Sequence, residues 1–392
     1  MKTVAVISEF NPFHNGHGFL LRSVREVLGA DTCIIAIMSG NYTQRGDVAI
    51  ADKFTRAAMA VEGGADLVLE IPFPYSASSA EYYARAGVGI AASLGIVDAI
   101  AFGSECGDIG ALSRIASNLS SEGFLSAFRE ALKAEEAKGH ARTTEDVYAA
   151  LFGEEEAVLL RSPNNVLGIE YLRANATLSH PLEALTFKRI GSYHTTDLSE
   201  GVSASAVRAV LSEGGDLGQA MPPASAKILE SAIARSEAPA DLNRLGSMFL
   251  SYFRTSPCPA TDDLGHRLRD AAIRAADFHE FTMLAATKRY TNAHIRRALW
   301  HRYFGITSAD LAEPPLYTQI LGMNANGRTA LRRASKLASI SLLTKPADAR
   351  ALDKAAARQA ERSQRADLLY PLTMPRAVAG NADLLASPYR KD

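Results

Sequence analysis

Short apolar runs alternate with longer amphipathic stretches through the first 210 residues of the chain. Five runs are rich in β-branched or aromatic residues and are bounded by turn-forming residues, which is typical of strands; they lie at 3–8, 32–38, 66–71, 98–103 and 184–188. Helical periodicity lies between them, near 16–28, 53–61, 80–94 and 109–119. This order predicts a doubly wound α/β domain with a parallel sheet, whose ligand crevice lies beyond the carboxyl ends of the strands.

The pattern changes along the rest of the chain. Residues 123–182 are mostly helical and are predicted as an insertion before the last strand. From residue 205 onward, segments rich in Ala, Leu and Arg are separated by prolines and carry no clear strand, which predicts a mainly α-helical second domain. We place the boundary near residue 215, between an α/β domain at 1–215 and a helical domain at 216–392.

One helix of the second domain is predicted in more detail. Residues 347–366 follow Pro346 and are rich in alanine and charge. Five cations are spaced three or four apart there and would share a face of one helix: Arg350, Lys354, Arg358, Arg362 and Arg365.

Length and composition narrow the class of protein. A chain of 392 residues with 47% hydrophobic and 22% charged residues is typical of a two-domain globular protein and excludes a mainly disordered one. No window is apolar enough for a membrane span, and the first ten residues lack the features of a signal peptide, so we expect a cytoplasmic protein. The cysteines Cys33, Cys106 and Cys258 are widely separated and indicate neither a disulfide framework nor a zinc site.

The net charge of −1 conceals an asymmetry between the two halves. The first 240 residues carry 19 lysines and arginines against 29 aspartates and glutamates, whereas residues 241–392 carry 23 against 14. A basic half indicates a polyanionic partner such as nucleic acid. A solvated helical surface would explain the same composition.

The most informative segment follows the first predicted strand and reads SEFNPFHNGH at residues 8–17. His14 and His17 flank the start of a predicted helix, and Gly16 between them lets a phosphate approach free backbone amides. Two imidazoles there can donate hydrogen bonds to the charge that develops when an α-phosphorus is attacked. A second segment, SASAVR at 203–208, opens a helix after the last predicted strand; alone it would indicate only a serine N-cap and a surface arginine.

Together these two segments resemble the HxGH and ISSTxxR motifs of the adenylyl- and cytidylyltransferase superfamily. The resemblance implies a Rossmann-like nucleotidyltransferase fold for the α/β domain, with His14 and His17 as the catalytic residues at the nucleotide phosphates. It also implies that the β- and γ-phosphates are held by Ser203, Ser205 and Arg208. Ala206 stands where the superfamily often has threonine, so one hydroxyl contact is missing or replaced.

A larger set of segments resembles the tRNA(Met) cytidine acetate ligase family. Beyond SEFNPFHNGH, the segments are MSGNYTQRGDVAIADKFTRAAMA, GADLVLEIP, FGSE, SPNNVLGIEYL and KRIGSYH in the first 210 residues, with ILGMNANGR and SLLTKP as weaker matches later in the chain. The resemblance implies a ligase that uses ATP to activate acetate as acetyl-adenylate. It then acetylates the wobble cytidine in the anticodon of elongator tRNA(Met), without acetyl-CoA.

The resemblance further implies a set of ATP-binding residues. The loop at 7–20 supplies, besides the two histidines, Ile7, Ser8, Glu9, Phe10, Asn11, Pro12, Phe13, Asn15, Gly16, Gly18, Phe19 and Leu20. Gly103, Asn164 or Asn165, Arg189 and Ile190 are implied as further contacts. Ordinary structural roles compete with several of these: a turn for the glycine, an N-cap for an asparagine and a surface salt bridge for the arginine. We expect Mg²⁺ to arrive with ATP, and we predict no dedicated metal site in the protein.

Cations outside the motifs supply the remaining candidates. Lys53 and Arg56, after the second predicted strand, are predicted to contact phosphate or acetate. Residues 288–365 carry 15 lysines and arginines against 5 acidic residues, which indicates an RNA-binding surface or else a solvated helix face. The predicted tRNA contacts in this segment are Lys288, Arg289, Arg296, Arg297, Arg332 and Arg333.

Two other functions share part of this pattern. A nucleotidyltransferase or carboxylate–amine ligase that acts on a small metabolite would carry the same phosphate motifs but would have no use for a basic helical half. A non-catalytic RNA-binding protein could retain the fold, but the intact HNGH segment argues against it. The sequence leaves the oligomeric state open.

Overall fold

The computed structural model describes residues 2–133, 139–189, 203–213, 215–256 and 262–392. Within these residues eight strands form one sheet, in the order β5-β4-β1-β2-β3-β6-β7, and β8 pairs with β6. The strands are β1 Thr3–Ser8, β2 Cys33–Ser39, β3 Leu67–Ile71, β4 Ala99–Ser104, β5 Glu183–Lys188, β6 Tyr317–Met323, β7 Ser341–Leu343 and β8 Tyr389–Arg390.

Helices precede, connect and follow these strands. The α-helices of the described residues are α1 Asn15–Leu28, α2 Lys53–Glu62, α3 Ala80–Ser93, α4 Ile109–Leu119, α5 Glu122–Lys133, α6 His140–Phe152, α7 Glu154–Ala157, α8 Pro163–Ala176, α9 Ala204–Ser212, α10 Pro223–Ala234, α11 Gly246–Thr255, α12 Asp263–Arg274, α13 Phe278–Ala285, α14 Asn292–Phe304, α15 Ser308–Ala312, α16 Ala325–Leu337, α17 Lys354–Asp367 and α18 Ala382–Leu385. Short 3₁₀ turns lie at Tyr75–Ala77, Val158–Arg161, Leu242–Leu245, Pro346–Ala351 and Tyr370–Thr373. No helix in this described part of the chain is both long and apolar enough to cross a membrane.

The first five strands are parallel and form the predicted doubly wound sheet. Each of their bounds, and each bound of α1 to α4, lies within one residue of its prediction. The chain adds strands on one side of β1 up to β3 and then returns to the other side for β4 and β5. Such a reversal opens a crevice at the carboxyl ends of β1 and β4, and ligands of doubly wound proteins bind in that crevice.

Two apolar cores cover the two faces of the sheet. Along β1, Ala5 and Ile7 face one core, and Val4 and Val6 face the other, because successive strand side chains point to opposite faces. Side chains of α3, α4, α8 and α16 complete the first core, and those of α1, α2 and α10 complete the second. The predicted region at 123–182 is helical where it is described, and its last helix, α8, packs on α3 and α4 as the connection from β4 to β5.

The prediction that no strand follows residue 205 is wrong. Strand β6 pairs antiparallel with β3, and β7 and β8 extend the sheet from β6. All seven residues of β6 are buried, but Thr318, Gln319 and Gly322 interrupt its apolar residues, so the segment shows neither a continuous apolar run nor a regular alternation. The boundary predicted near residue 215 stays a prediction, although the second half of the chain contributes strands to the sheet of the first.

The predicted single helix at 347–366 is also wrong in its first turn. Pro346–Ala351 forms a 3₁₀ turn, and α17 begins separately at Lys354. Asp353 ends the turn and starts the helix, because its side chain accepts hydrogen bonds from the amides of Ala355 and Ala356. Arg350 therefore does not share the face of the four cations on α17.

A third apolar core joins the helical half to the loop that follows β2. We call residues 40–50 the β2 loop and residues 9–14, which follow β1, the β1 loop. Tyr42 and Val48 of the β2 loop are buried among side chains of α11 to α14 and of the segment after α17. Tyr42 contacts Trp300 edge to face, with ring centroids 4.7 Å apart. The helical half thus holds a loop at the carboxyl edge of the sheet.

Candidate active site

His14 and His17 lie together at the start of α1, at the carboxyl end of β1. His14 is the N-cap residue, and its Nδ1 accepts a hydrogen bond from the amide of Gly16 at 3.1 Å. In return, Nδ1 of His17 accepts from the amide of His14 at 3.2 Å, which completes a capping box. The two rings stack with centroids 3.7 Å apart. The backbone of the turn therefore fixes the position of both imidazoles.

This arrangement also fixes the protonation of the two rings. An Nδ1 that accepts a hydrogen bond carries no proton, so each neutral ring bears its proton on Nε2 and can donate it there. Burial, followed by the charges of Arg189 and Arg208, lowers the pKa of His14 to about 3. Burial also lowers the pKa of His17, together with His14 and Arg189. At neutral pH the pair offers two Nε2–H donors without a positive charge.

Aromatic residues of the β1 loop pack against His17 and fix the loop that carries His14. Phe10 has a positive φ of 44°, a left-handed conformation that is uncommon outside glycine. Its ring contacts Phe13 and His17 edge to face, at 4.9 and 4.8 Å. Phe13 in turn rests on Gly63, where an added Cβ would lie 2.2 Å from the ring. These buried rings position the backbone of the predicted ATP-binding loop.

Polar contacts tie the same loop to its neighbours. The side-chain oxygen of Asn11 accepts from the amide of Ile50 at 2.7 Å. Asn15 binds residues just before α10, through its amide to Ala220 O and its side chain to Gln219 O. The predicted ATP-binding residues of this loop therefore divide into buried supports, such as Phe10 and Asn11, and residues at the helix start, such as Gly16.

The second motif lies against the first. Ser203 is the N-cap of α9, and its hydroxyl accepts from the amide of Ala206. Arg208 donates to Asn11 O at 2.7 Å and to the hydroxyl of Ser205 at 3.1 Å. The Arg208 charge also acts on His14. The structure thus brings the arginine of the second motif to the loop of the first, while Ser203 has the N-cap role that was its alternative; the phosphate contacts of these residues stay a prediction.

Gly103 and Arg189 meet at the ends of β4 and β5. An added Cβ on Gly103 would lie 3.2 Å from Cγ of Arg189, so the glycine makes room for the arginine side chain. The Arg189 charge acts on both histidines. Arg189 is thereby placed for a nucleotide contact, and Gly103 acts through it. Ile190 lies outside the described residues, so the structure says nothing of its predicted contact.

Asn164 and Asn165 form one hydrogen-bonded unit with Glu105. The Glu105 carboxylate accepts from both backbone amides at the start of α8 and from the side chain of Asn164. The side-chain oxygen of Asn165 accepts from the amides of Glu105 and Cys106, and its nitrogen donates to Leu159 O. Buried Asn165 is therefore occupied within the protein, and of the two asparagines the half-buried Asn164 is the better placed for nucleotide contact.

The prediction of direct substrate contact by Lys53 and Arg56 does not fit the structure. Only 2% of Lys53 and none of Arg56 is exposed. Arg56 donates to the carbonyl oxygens of Glu9, Ser39 and Gly40, and so joins the β1 and β2 loops. Both cations follow the β2 loop closely in the sequence, and this position suggested that they bind a ligand. A buried cation whose partners all belong to the protein holds the loops of the site in place instead of contacting the substrate.

Lys53 lies within a buried network of carboxylates. Its ammonium group is 3.1 Å from the Glu70 carboxylate and 2.7 Å from Asp367. Asn41 of the β2 loop donates to Asp367 and to Asp383. Burial by itself would lower the pKa of Lys53, but Asp367 and Glu70 raise it above its ordinary value. We call Lys53, Glu70, Asp367, Asp383 and Asn41 the buried charge network.

Two carboxyl groups of this network have strongly shifted pKa values. Burial raises the pKa of Glu70 to about 7, against the opposing effect of Lys53. Burial and the neighbouring Asp367 raise the pKa of Asp383 to about 7. Sequence reasoning missed Asp367 and Asp383, because they lie 326 and 342 residues from the asparagine that binds them.

A cavity of about 310 Å³ opens on the β2 side of the β1 loop. The β1 loop contributes Glu9 and Asn11, and α9 contributes Arg208 and Leu211. The other walls are the β2 loop, residues 239–241 and Arg296. The cavity thus joins the predicted ATP-binding loop to one of the arginines predicted to contact tRNA.

The predicted tRNA-binding cations fall into separate places. Arg296 donates to Asp47 at 3.0 Å, and Arg297 donates to Gln44 O at 3.2 Å, so both lie on the β2 loop. Lys288 and Arg289 pack against Gly139, just before α6. Arg332 and Arg333 lie exposed on α16, and the Arg333 charge acts on Cys33 at the amino end of β2. Of these six cations, Arg296 lines the cavity, and Arg297 contacts the β2 loop beside it.

Among the described residues no cluster of three or more His, Cys, Asp or Glu side chains is arranged to hold a metal ion. Glu105, the acidic residue at the β4 edge of the crevice, is engaged by the amides that open α8.

Comparison with known proteins gives one family. A family model described as HIGH Nucleotidyl Transferase matches residues 1–383. The tRNA(Met) cytidine acetate ligase of Syntrophotalea carbinolica is 35% identical over 359 residues, which cover 88% of this chain and 85% of the relative. The protein of the same name from Acetivibrio thermocellus is 34% identical over 370 residues, which cover 89% of each chain.

Solved structures give the same result. Thermotoga maritima TmcAL bound with alpha-thio ATP is similar over the whole of both chains, with a TM-score of 0.90 and 27% identity. The apo form of that protein has a TM-score of 0.91 and 28% identity, again over the whole of both chains. The similarity therefore includes the helical half as well as the sheet.

Proposed function

The chain belongs to the tRNA(Met) cytidine acetate ligase family of the HIGH nucleotidyl transferases, and from that membership we propose its reaction. It is an ATP-dependent ligase that joins acetate to the exocyclic amine of the wobble cytidine in elongator tRNA(Met). The product is N4-acetylcytidine, and acetyl-adenylate is the intermediate. Because its partner is a tRNA, we expect it to act in the cytoplasm.

The observation that carries this proposal is the pair of stacked, neutral histidines at the start of α1. Two Nε2–H donors at the positive end of the α1 dipole, with the nearby charges of Arg189 and Arg208, suit a nucleoside triphosphate. A rigid set of donors stabilises charge that develops during the reaction without having to reorganise. An Asn–Gly turn capped only for stability would not need two stacked imidazoles.

In the first step an oxygen of acetate attacks the α-phosphorus of ATP. The bond from that phosphorus to the bridging oxygen breaks, and pyrophosphate leaves with the electron pair. His14, His17 and Arg208 stabilise the charge that moves onto the leaving group, and positioning supplies much of the remaining acceleration. Mg²⁺ accompanies the nucleotide and neutralises phosphate charge, with few ligands from the protein.

In the second step the N4 amine of cytidine attacks the acyl carbon of acetyl-adenylate. The bond between the acyl carbon and the phosphate oxygen breaks, AMP leaves, and the amine loses one proton to a nearby base. Acetyl-CoA has no part in this scheme, because the adenylate already carries an activated acyl group. The cytidine has to leave its stack to reach the adenylate, which costs less in an anticodon loop than in a duplex.

An exchange assay tests the activation step and the choice of acid. The protein is incubated with ATP, labelled pyrophosphate and one of several small carboxylates or phosphorylated metabolites. We expect label in ATP only with acetate, or most strongly with acetate. Exchange that depends on a phosphorylated metabolite would support the alternative nucleotidyltransferase, which the family membership does not favour. Absence of exchange with every acid would contradict an activating enzyme.

A further inference from the structure

The activation step described above uses one residue of the cavity wall, Arg208, and gives the rest of the cavity no role. Arg189 follows β5 and its charge acts on both histidines, whereas the cavity is lined by the loop that follows β2, the strand on the other side of β1. It nevertheless shares Asn11 and Arg208 with the predicted phosphate site. A ligand in the cavity would therefore border the predicted phosphate site.

The size of the cavity argues against acetate as its main occupant. Acetate is no larger than the side chain of an aspartate, whereas about 310 Å³ is within the range of pockets that bind small organic ligands. A nucleoside fills such a volume. The walls also include apolar side chains, among them Val48, Ile50 and Leu211, against which a flat base can pack.

The charged groups of the cavity suit the edge of a cytosine. Carboxylates accept hydrogen bonds from the cytosine N4 amine, and the cavity offers Glu9, Asp47 and Asp241. Cytosine N3 and O2 need donors, and the cavity is lined by the cations Arg45, Arg208 and Arg296. The Arg296 side chain is partly exposed and is held at the wall by its ion pair with Asp47.

We propose that this cavity binds the acceptor cytidine, with Arg296 at its wall as a ligand of the base or its ribose. The proposal rests on the proposed function and adds the place of the acceptor. Of the three carboxylates, Glu9 is the one carried by the β1 loop, which also carries His14. Its Oε1 accepts from the amide of Gln44 at 2.8 Å, which holds the carboxylate towards the β2 loop. Glu9 orients the N4 amine towards the adenylate.

A cavity-filling substitution tests this placement without removing a charge. Ala240 lines the cavity and contributes its backbone amide to Ile50 O, a bond that a larger side chain leaves unchanged. Ala240→Phe should occupy the space of the base, and Ala240→Ser is the matched control. We expect Ala240→Phe to lower acetyl transfer to tRNA by about 100-fold, since small displacements of a reacting group have effects of this size. Acetate-dependent exchange of pyrophosphate should stay within about twofold of the control.

Two results would overturn the proposal. One is transfer by Ala240→Phe within about threefold of Ala240→Ser, which would mean that the acceptor does not use this space. The other is an equal loss of exchange and transfer in a folded variant, which would assign the cavity to acetate or ATP. Absence of acetate-dependent exchange in the unsubstituted protein is a different outcome, because it contradicts the proposed function itself.

A second measurement does not depend on how well the variant folds. An anticodon stem-loop with 5-iodocytidine at the wobble position is irradiated on the unsubstituted protein, and the cross-linked peptides are identified. We expect cross-links within residues 43–50, 239–241 or around Arg296. Cross-links confined to the nucleotide side, around Gly103 and Arg189, or to the exposed face of α16 would contradict the proposal.

Discussion

The two sides of β1 are built in different ways. On the nucleotide side, the contacts that position His14 and His17 come from the first 221 residues and are largely local, as in the capping box and the Phe10–Phe13 pair. On the cavity side, the β2 loop is held by the far end of the chain. Trp300 donates to Gly46 O, Tyr42 donates to Ala366 O and Tyr370 donates to Ala49 O.

This difference separates two tasks of the proposed reaction. A local and rigid turn suits charge stabilisation at phosphates, which depends on fixed donors. The position of the β2 loop depends on contacts with the helical half. Binding of a ligand to that half can therefore shift the loop. We therefore expect that a substitution can impair the function of one side of β1 and leave the other side intact.

The largest effect is expected on the nucleotide side. His14→Ala removes an Nε2–H donor and the N-cap acceptor, and we expect acetate-dependent exchange to fall about 1000-fold, as for loss of a donor to a developing charge. Affinity for tRNA, measured by filter binding, should stay nearly unchanged. His180→Ala replaces an exposed histidine and serves as the control. Loss of tRNA binding together with exchange would contradict the separation.

The second-largest effect is expected on the cavity side, in the buried charge network next to the β2 loop. Lys53→Met leaves the carboxylates of the buried charge network without their cation, and we expect the free energy of unfolding to fall by about 3 kcal/mol. Lys2→Met breaks an exposed pair with Glu183 and should cost less than about 1 kcal/mol. Urea titration measures the change in the free energy of unfolding for both variants.

Hydrogen exchange shows where the damage lies. In Lys53→Met the amides of residues 41–49 should exchange faster than in the unsubstituted protein, while those of β1 and the start of α1 change less. Equal acceleration on both sides of β1 would mean that the network supports the whole sheet rather than the β2 loop.

The same network predicts a pH dependence of stability. The pKa of Asp383 is raised to about 7 in the folded protein, so the folded state favours its protonated form, and that stabilisation is lost as the pH rises through 7. Asp383→Asn imitates the protonated form at every pH. Between pH 6 and pH 8 the unsubstituted protein should lose about 1 kcal/mol more stability than the variant. A difference of the opposite sign would show that the carboxylate is ionised and well paired.

The smallest effect on tRNA binding is expected for two arginines that lie far from both sides of β1. Arg332 and Arg333 lie towards the amino end of β2, opposite the crevice. Replacing both with alanine should weaken tRNA binding by no more than about threefold, whereas Arg296→Ala with Arg297→Ala should weaken it about tenfold and reduce its salt dependence. A larger loss from the α16 pair would mean that the tRNA extends around the sheet to its other edge.

The sequence predicted the nucleotide side well, because its signals are local. Strand β1, the HNGH turn and the start of α1 are consecutive, and each of the first five strands carries its own apolar run and turn residues. Resemblance to a family then assigned the phosphate contacts of the second motif, and the structure places Arg208 against Asn11 of the first.

The cavity side could not be predicted in the same way. Lys53 follows the β2 loop and was predicted as a substrate contact, yet its partner Asp367 is 314 residues away. Strand β6 was missed because polar residues and a glycine interrupt its apolar ones, and its pairing with β3 is a tertiary contact. No periodicity in the sequence indicates which distant carboxylate will pair with Lys53, or which strand will pair with β6.

The most direct test of the central claim is a complete reaction. The protein is incubated with ATP, labelled acetate and an unmodified elongator tRNA(Met) transcript, with no acetyl-CoA present, and the nucleosides are analysed by mass. The account predicts labelled N4-acetylcytidine at the wobble position only. Label in acetyl-adenylate but none in the RNA, or label at other cytidines, would contradict the assigned acceptor.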